Sequence, residues 1–282
     1  MTDEEIYAIK PDEDGWRVLP NGYKVKIGDS VSIGNGANIG DGAEIGNYAS
    51  IGKSAEIGSY ASIGKSADLG SYVSIGGGAN IGDGAEIGND AKIGNGAEIG
   101  NYASIGKSAE IGSYASIGKS ADLGSYVSIG NGANIGDGAE IGNDAKIGNY
   151  ASIGNYASIG KSAEIGNGAN IGDGAEIGND AEIGNYASIG NGAEIGDNLE
   201  ILSGFASLSL TDKWVVNPYS VGQIRCGCFI GSYKDILGRS NAEWMSHEYT
   251  TEQIDLVKNF VRFCQTNEHL MLKEKNNHVR DH

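Results

Sequence analysis

Four histidines and three cysteines are the side chains best suited to proton transfer, nucleophilic attack or metal binding, and all seven lie between Cys226 and the C-terminal His282. Cys226-Gly227-Cys228 with His247 and Cys264 offers three thiolates and an imidazole, a donor set that zinc accepts. The spacing is loose, and a Cys-x-Cys pair on a strand directs both side chains to one buried face, so no metal is expected. His278 and His282 lie in a polar tail, where solvation is the simpler reading, and His269 has no partner at a telling distance in sequence. Gly76-Gly77-Gly78 and Gly52-Lys53-Ser54 hold the residue types of a phosphate loop but lack its strand-loop-helix setting. These residues assign no catalytic group and no cofactor. Arg225 and Arg239 are the available partners for a phosphate, should the chain sequester a small molecule or nucleotide signal between subunits or under its C-terminal part.

The elements around these residues follow from a repeat. Ile or Leu recurs at every sixth residue from Ile27 to Ile201, 30 hexads without one insertion, and Gly follows each through Gly196. Asn47-Tyr48-Ala49-Ser50-Ile51-Gly52 and Asp83-Gly84-Ala85-Glu86-Ile87-Gly88 are typical. Ala and Ile, two residues apart, point to one side of a short strand, and the residue between them points to solvent. Gly followed by Asn, Asp, Ser or Lys is expected to form the corner through backbone angles closed to other residues. Three strands then close a triangular coil of about 18 residues, and ten coils at about 4.8 Å make a parallel-sheet rod of about 48 Å. Collagen and heptad periods do not fit.

This uninterrupted pattern resembles the bacterial transferase hexapeptide-repeat family. The resemblance implies an all-β, left-handed parallel β-helix and association into parallel trimers. Acyltransferases of that family use a histidine on the helix as general base, related zinc carbonic anhydrases use three, and a long loop covers the substrate. No histidine and no interrupted hexad occurs between Ile27 and Ile201, so a hexapeptide acyltransferase-like activity is disfavoured. Runs such as Ala49–Gly52 are also similar to the β-roll heads of trimeric autotransporter adhesins, whose repeats are longer than six and which need an export signal and anchor. Ile224-Arg225-Cys226-Gly227-Cys228, Glu243-Trp244 and the Leu19-Pro20-Asn21-Gly22 entry are similar to hexapeptide proteins of bacteriophages and prophages, which implies a phage or mobile-element source and a host-cytoplasm setting.

The chain divides into a cap over residues 1–26, the β-helix over 27–201 and a small α+β cap over 202–282. Strand-like runs flank Pro20-Asn21-Gly22, a hairpin signal, with Trp16 and Tyr23 expected to cover the bottom of the core. After the rod, strands are expected at Phe205–Leu210, Trp214–Val216 and Gln223–Ile230. A helix should open near Thr250 or Thr251, with Ile254, Val257, Val261 and Cys264 as its apolar stripe.

Of the formal charge of −17, the rod carries 22 acids against seven bases, while the ends are close to neutral. An acidic rod repels phosphates and anionic membrane, so neither nucleic acid nor membrane is expected as a direct partner. One net charge per roughly 3 Å, interrupted by Lys92 and Lys146, also makes a poor mimic of duplex DNA. No Thr lies between Thr2 and Thr211, which removes the Thr ranks of ice-binding faces. Three late cysteines and the lack of an apolar run of membrane-spanning length lead to the expectation of a soluble, cytoplasmic protein.

Residues 47–95 and 101–149 match except at Gly77 and Asn131, with an offset of 54, three whole coils. Duplication in phase suits a surface whose length or multivalency matters. Gene slippage alone would leave the same trace. Sorting the hexads by face separates two charged faces from one that is not. One charged face presents Asp68, Glu86, Asp122, Glu140 and Glu176, and the other Glu56, Lys92, Glu110, Lys146 and Glu164. The face of Ile117, Ile135, Ile153, Ile171 and Ile189 shows Ser116, Asn134, Ser152, Asn170 and Ser188, with Tyr114, Tyr150 and Tyr186 at its corner separated by Gly132 and Gly168. Tyrosine knobs alternating with glycine gaps on an uncharged surface suit an interface, either a homo-oligomer, trimer favoured, or an unknown protein or small-molecule partner. A neutral solvated face is the plainer alternative.

Overall fold

Two-residue strands are all that a six-residue period with a corner allows, and each repeat supplies one, from Ser32–Ile33 to Glu194–Ile195. The computed structural model describes residues 3–201, 208–211, 214–220, 223–226, 229–245, 254–255, 257–259, 261–262, 265 and 272–274. Strands three hexads apart pair in parallel with like on like, as in Ser116↔Asn134 and Ile117↔Ile135. They form three sheets. The first runs through Ile27, Ile45 and Ile63 to Ile189, the second through Ile33, Ile51 and Leu69 to Ile195, and the third through Ile39, Ile57 and Ile75 to Ile201. This is the β-solenoid of about ten triangular coils that the repeat predicts.

Ser113-Tyr114-Ala115-Ser116-Ile117-Gly118 illustrates one hexad. Its third and fifth side chains, Ala115 and Ile117, are buried, as they are in hexad after hexad, so alanine and isoleucine fill one continuous core. The ladder continues round the corners. Ser116 N donates to Ala133 O at 2.9 Å and Gly118 N to Ile135 O at 2.8 Å, while Tyr114 N donates back to Asn95 O at 3.0 Å. Where the first residue of the coil above is Asn or Asp, its Oδ1 accepts from the first residue below, as Asn131 does from Ser113 N at 2.8 Å and Asp137 from Lys119 N at 2.7 Å. Asx at the corner therefore satisfies a backbone donor that no strand reaches.

The closing glycine has a different role from the one expected. From Ser30 to Asn198 it is the second hexad residue, not this glycine, that takes positive φ, with tyrosine (Tyr114, 59°), serine (Ser54, 53°) and aspartate (Asp90, 63°) among them. The closing glycine is set by distance. A Cβ on Gly118 would stand 2.5 Å from Asp137 N, and one on Gly148 would stand 2.5 Å from Asn167 N. The corner backbone of the next coil occupies that space, so only hydrogen fits.

Both ends of the rod are closed by non-repeating chain. Helix Asp3–Tyr7, absent from the sequence-based expectation, buries Ile6 under the core. Leu19 joins it there. Trp16 is only half-buried and Tyr23 is exposed, so the residues expected to cover the core do not: the hairpin of Trp16–Val18 with Lys24–Ile27 adds to the edge of the first sheet and turns both rings outward. Tyr7 ties the helix to the first coil, donating to Gly28 O at 2.7 Å and accepting from Val31 N at 2.8 Å.

At the other end Leu272–Glu274 pairs antiparallel with Leu199–Ile201 and covers the edge of the third sheet. A four-stranded antiparallel sheet of Leu208–Thr211, Trp214–Ser220, Gln223–Cys226 and Phe229–Ser232 precedes it. The single strand expected over Gln223–Ile230 is thus two, paired as Cys226↔Phe229 and Arg225↔Ile230, with the chain reversing between them. Phe205 lies outside the described residues, and the Trp214 strand runs on to Ser220. Two unanticipated short helices, Tyr233–Gly238 and Asn241–Met245, are opened by Ser232 with Asp235 and by Ser240 with Glu243. These hydrogen bonds hold both carboxylates below their ordinary range, Asp235 chiefly through the Ser232 hydroxyl and Glu243 chiefly through the Ser240 backbone N–H. Ile254, Val257 and Val261 are helical and buried, as the stripe predicts; Thr250, Thr251 and Cys264 lie outside the described residues.

Five variants test this architecture. Ile117→Asp places an unpaired carboxylate in the core and should abolish cooperative melting. Deletion of residues 101–118 should yield a shorter rod with native circular dichroism, whereas deletion of 101–116 should not fold, because two residues out of phase turn apolar side chains to solvent. Gly118→Ala should cost more than about 2 kcal/mol in denaturant unfolding. Gly174→Ser, at an open corner position of a kind that serine occupies elsewhere, should cost less than about 1 kcal/mol.

Candidate binding face

The outward residue of each strand is the only strand side chain that meets solvent, so a face is read as one column per sheet. Along the first sheet that column is Lys26, Glu44, Ser62, Asn80, Glu98, Ser116, Asn134, Ser152, Asn170 and Ser188. Register places Ser116 beside Asn134, Asn134 beside Ser152, Ser152 beside Asn170 and Asn170 beside Ser188. The five polar candidates therefore form one contiguous column, and its last charge is Glu98. The second sheet carries Asp68, Glu86, Asp122, Glu140, Glu176 and Glu194. The third carries Glu56, Lys92, Glu110, Lys146, Glu164, Glu182 and Glu200.

Tyr114, Tyr150 and Tyr186 stand at the leading corner of the first face, 76%, 75% and 79% exposed. The expected alternation of knob and gap is corrected here. A Cβ on Gly96, Gly132 or Gly168 would come within 2.7 Å of the ring of Tyr114, Tyr150 or Tyr186 respectively, so each ring lies back over the glycine one coil below. The glycine gap is filled by the tyrosine above it. Tyr102 over Gly84 and Tyr156 over Gly138 repeat the arrangement at another corner. The left-handed backbone that aims these rings costs about 1 kcal/mol per residue, offset by the ring contact and by the corner hydrogen bonds. Sequence reasoning missed the pairing, yet its signal is present as a Gly three hexads before each of these tyrosines.

Salt bridges sit on the third face. Lys92 Nζ meets Glu110 Oε1 at 2.8 Å and Lys146 Nζ meets Glu164 Oε1 at 2.8 Å, one coil apart in each case. The hydrogen bond to glutamate holds each ammonium above its ordinary value of 10.5. A raised lysine pKa contributes stability that is complete below 10.5 and is lost only as pH climbs through the raised value, so neutral solutions do not test it. Both pairs are exposed and screened, which keeps their contribution small.

The other candidates lie elsewhere. Arg225 is on the strand Gln223–Cys226, and Arg239 is the C-cap of helix Tyr233–Gly238, where its charge acts on Asp235 and Glu243. Cys226 is the last residue of its strand; Cys228, Cys264 and all four histidines are outside the described residues. Among the described residues no group of three or more metal-ligating side chains occurs. No helix among them is long and apolar enough to cross a membrane. A groove of about 560 Å³ near the N-terminal end, lined among others by Arg17, Lys26, Glu44, Lys65 and Asp83, mixes both charges.

The bacterial transferase hexapeptide family (six repeats) matches residues 24–59, 66–101 and 144–179. The three matched stretches lie within the rod and together make up 108 of the 282 residues. The match also supports the left-handed coil. No curated protein matches the chain. Among solved structures, LpxA from Acinetobacter baumannii aligns at 20% identity over 82% of this chain and 82% of its own, with a TM-score of 0.48. UDP-N-acetylglucosamine acyltransferase from Campylobacter jejuni aligns at 17% identity over 83% and 82%, with a TM-score of 0.39. The acetyltransferase domain of PglB from Neisseria gonorrhoeae FA1090 aligns at 24% identity over 37% and 48%, with a TM-score of 0.30. At those scores the reaction named for each neighbour stays with that neighbour.

Replacing Lys92 and Lys146 together by alanine should leave the melting temperature at pH 7 unchanged; a clear drop would give the third-face charge ladder a structural weight that its exposure does not allow.

Proposed function

We propose that this protein is a non-catalytic scaffold or binding protein that self-associates through the C-terminal half of its first face, a parallel trimer being the assembly its repeats favour. The observation that carries the reading is the uncharged column from Ser116 to Ser188, beside exposed Tyr114, Tyr150 and Tyr186, on a rod otherwise rich in carboxylates. Charge depletion with accessible tyrosine is the composition of interface cores. A column that repeats every coil also gives several equivalent contacts, so that weak individual contacts sum along the rod. The absence of histidine from Ile27 to Ile201 supports a role without proton transfer on the rod. A phage or mobile-element source rests on the resemblance of the Leu19–Gly22 entry and the C-terminal residues Ile224–Cys228 and Glu243-Trp244 alone.

The test compares matched surface changes. Tyr150 and Tyr156 are both 75% exposed, and each lies over a glycine, but they border different faces. Aspartate already occupies the same left-handed corner position at Asp90, Asp144 and Asp180, and glutamate already occupies the outward strand position at Glu98, so neither change should unfold the rod. Tyr150→Asp with Ser152→Glu should lower the light-scattering mass toward that of a monomer, while Tyr156→Asp with Ser158→Glu should leave it unchanged. Equal behaviour of the two pairs would remove the first face as the interface. Turnover of acetyl-coenzyme A by the purified protein would overturn the non-catalytic reading.

A further inference from the structure

The Asn-Gly dipeptide occurs six times, at Asn21, Asn35, Asn95, Asn131, Asn167 and Asn191. It is the pair most prone to self-modification, because a following glycine leaves its backbone nitrogen unhindered. In the reaction that nitrogen, once deprotonated, attacks the asparagine Cγ. The new C–N bond closes a five-membered succinimide, the amide C–N bond breaks and ammonia leaves. Water then opens either carbonyl, giving aspartate or isoaspartate.

Four of the six are locked by the coil below. At Asn131, Oδ1 accepts from Ser113 N at 2.8 Å and Gly132 N donates to Ser113 O at 2.9 Å, so one residue holds both reacting groups. Gly77 does the same for Asn95 and Gly96, at 2.8 and 3.0 Å. Asn149 does so for Asn167 and Gly168, at 2.7 and 2.9 Å, and Asp173 for Asn191 and Gly192, at 3.0 and 2.8 Å. Deprotonation of the nitrogen and rotation of the amide both require the corner to open first.

Asn35 is in the lowest coil. The residue one coil-length before it, Arg17, belongs to the hairpin and pairs with Val25. Among the described residues neither the Asn35 side chain nor Gly36 N has a hydrogen-bond partner, and both residues are exposed. Asn21 is intermediate: Gly22 N donates to Leu19 O at 2.9 Å and Oδ1 accepts from Tyr23 N at 3.0 Å, a lock confined to one turn.

We propose that Asn35 is a deamidation site and that stacking protects the four interior Asn-Gly corners. The product adds one negative charge to the chain. An isoaspartate there lengthens the corner before Asn38–Ile39, the first strand of the third sheet, so the register of the coils above is untouched.

Incubation of the intact chain at mildly alkaline pH, with peptide mapping by mass spectrometry and an isoaspartate methyl-acceptor assay, tests this. In the folded protein Asn35 should convert at least about tenfold faster than Asn95, Asn131, Asn167 and Asn191, and in denaturant the rates should converge. Asn35→Gln should remove most of the isoaspartate formed by the folded chain. Conversion of the interior sites as fast as Asn35 in the folded protein, faster conversion at Asn21, or an undiminished isoaspartate yield in Asn35→Gln would each overturn the proposal.

Discussion

Everything in the rod depends on how closely one coil may approach the next. A parallel sheet sets the spacing at about 4.8 Å, and at the corner, where the chain turns between sheets, that spacing leaves no room for a Cβ. The glycine after each isoleucine answers this constraint. Where Gly118 stands, any larger residue would meet the Asp137 and Gly136 backbone. The buried alanines and isoleucines add cohesion, but hydrophobic burial is non-directional and would not hold the coil-to-coil register by itself. Steric exclusion at the corner and hydrogen bonding along the strands do so together.

The corner also shows how a strained backbone can be made regular. Tyrosine, serine and aspartate accept a left-handed conformation at the second hexad position because their N–H groups are engaged by the coil below and, for six tyrosines, because the ring covers a glycine there. Asparagine and aspartate at the first position supply an acceptor for the one corner donor that the strands leave over. Composition that reads as monotonous thus has a separate physical task at each hexad position.

With the third, fifth and sixth positions constrained by packing, variation is left to the two corner residues and the outward strand residue, and surface chemistry must be written there. The second and third faces use it for charge, the third in part for lysine–glutamate pairs. The first face, beyond Glu98, uses it for serine, asparagine and tyrosine. The in-phase relation of residues 47–95 to 101–149 preserves these columns, since a shift by three whole coils returns each side chain to its own face.

The period of six, closed in threes, made the rod, its core and all three outward columns legible in the sequence, because the contacts concerned recur at a constant offset of three hexads. The eight candidates from Tyr114 to Ser188 were found in this way and fall together on one face. What the tertiary structure decided lies where the offset ends or where backbone and ring geometry enter. Ile6 and Leu19, not Trp16 and Tyr23, close the bottom of the core, since a hairpin added to a sheet edge directs its side chains by pleat and not by size. The reversal between Cys226 and Phe229 splits a run of strand-forming residues that has no periodic signal to divide it. The glycine expected to serve the turn instead serves the stacking distance, and the gap expected beside Tyr150 is covered by its ring. Each is a contact between coils or between cap and coil, and its geometry exists only after the chain has closed upon itself.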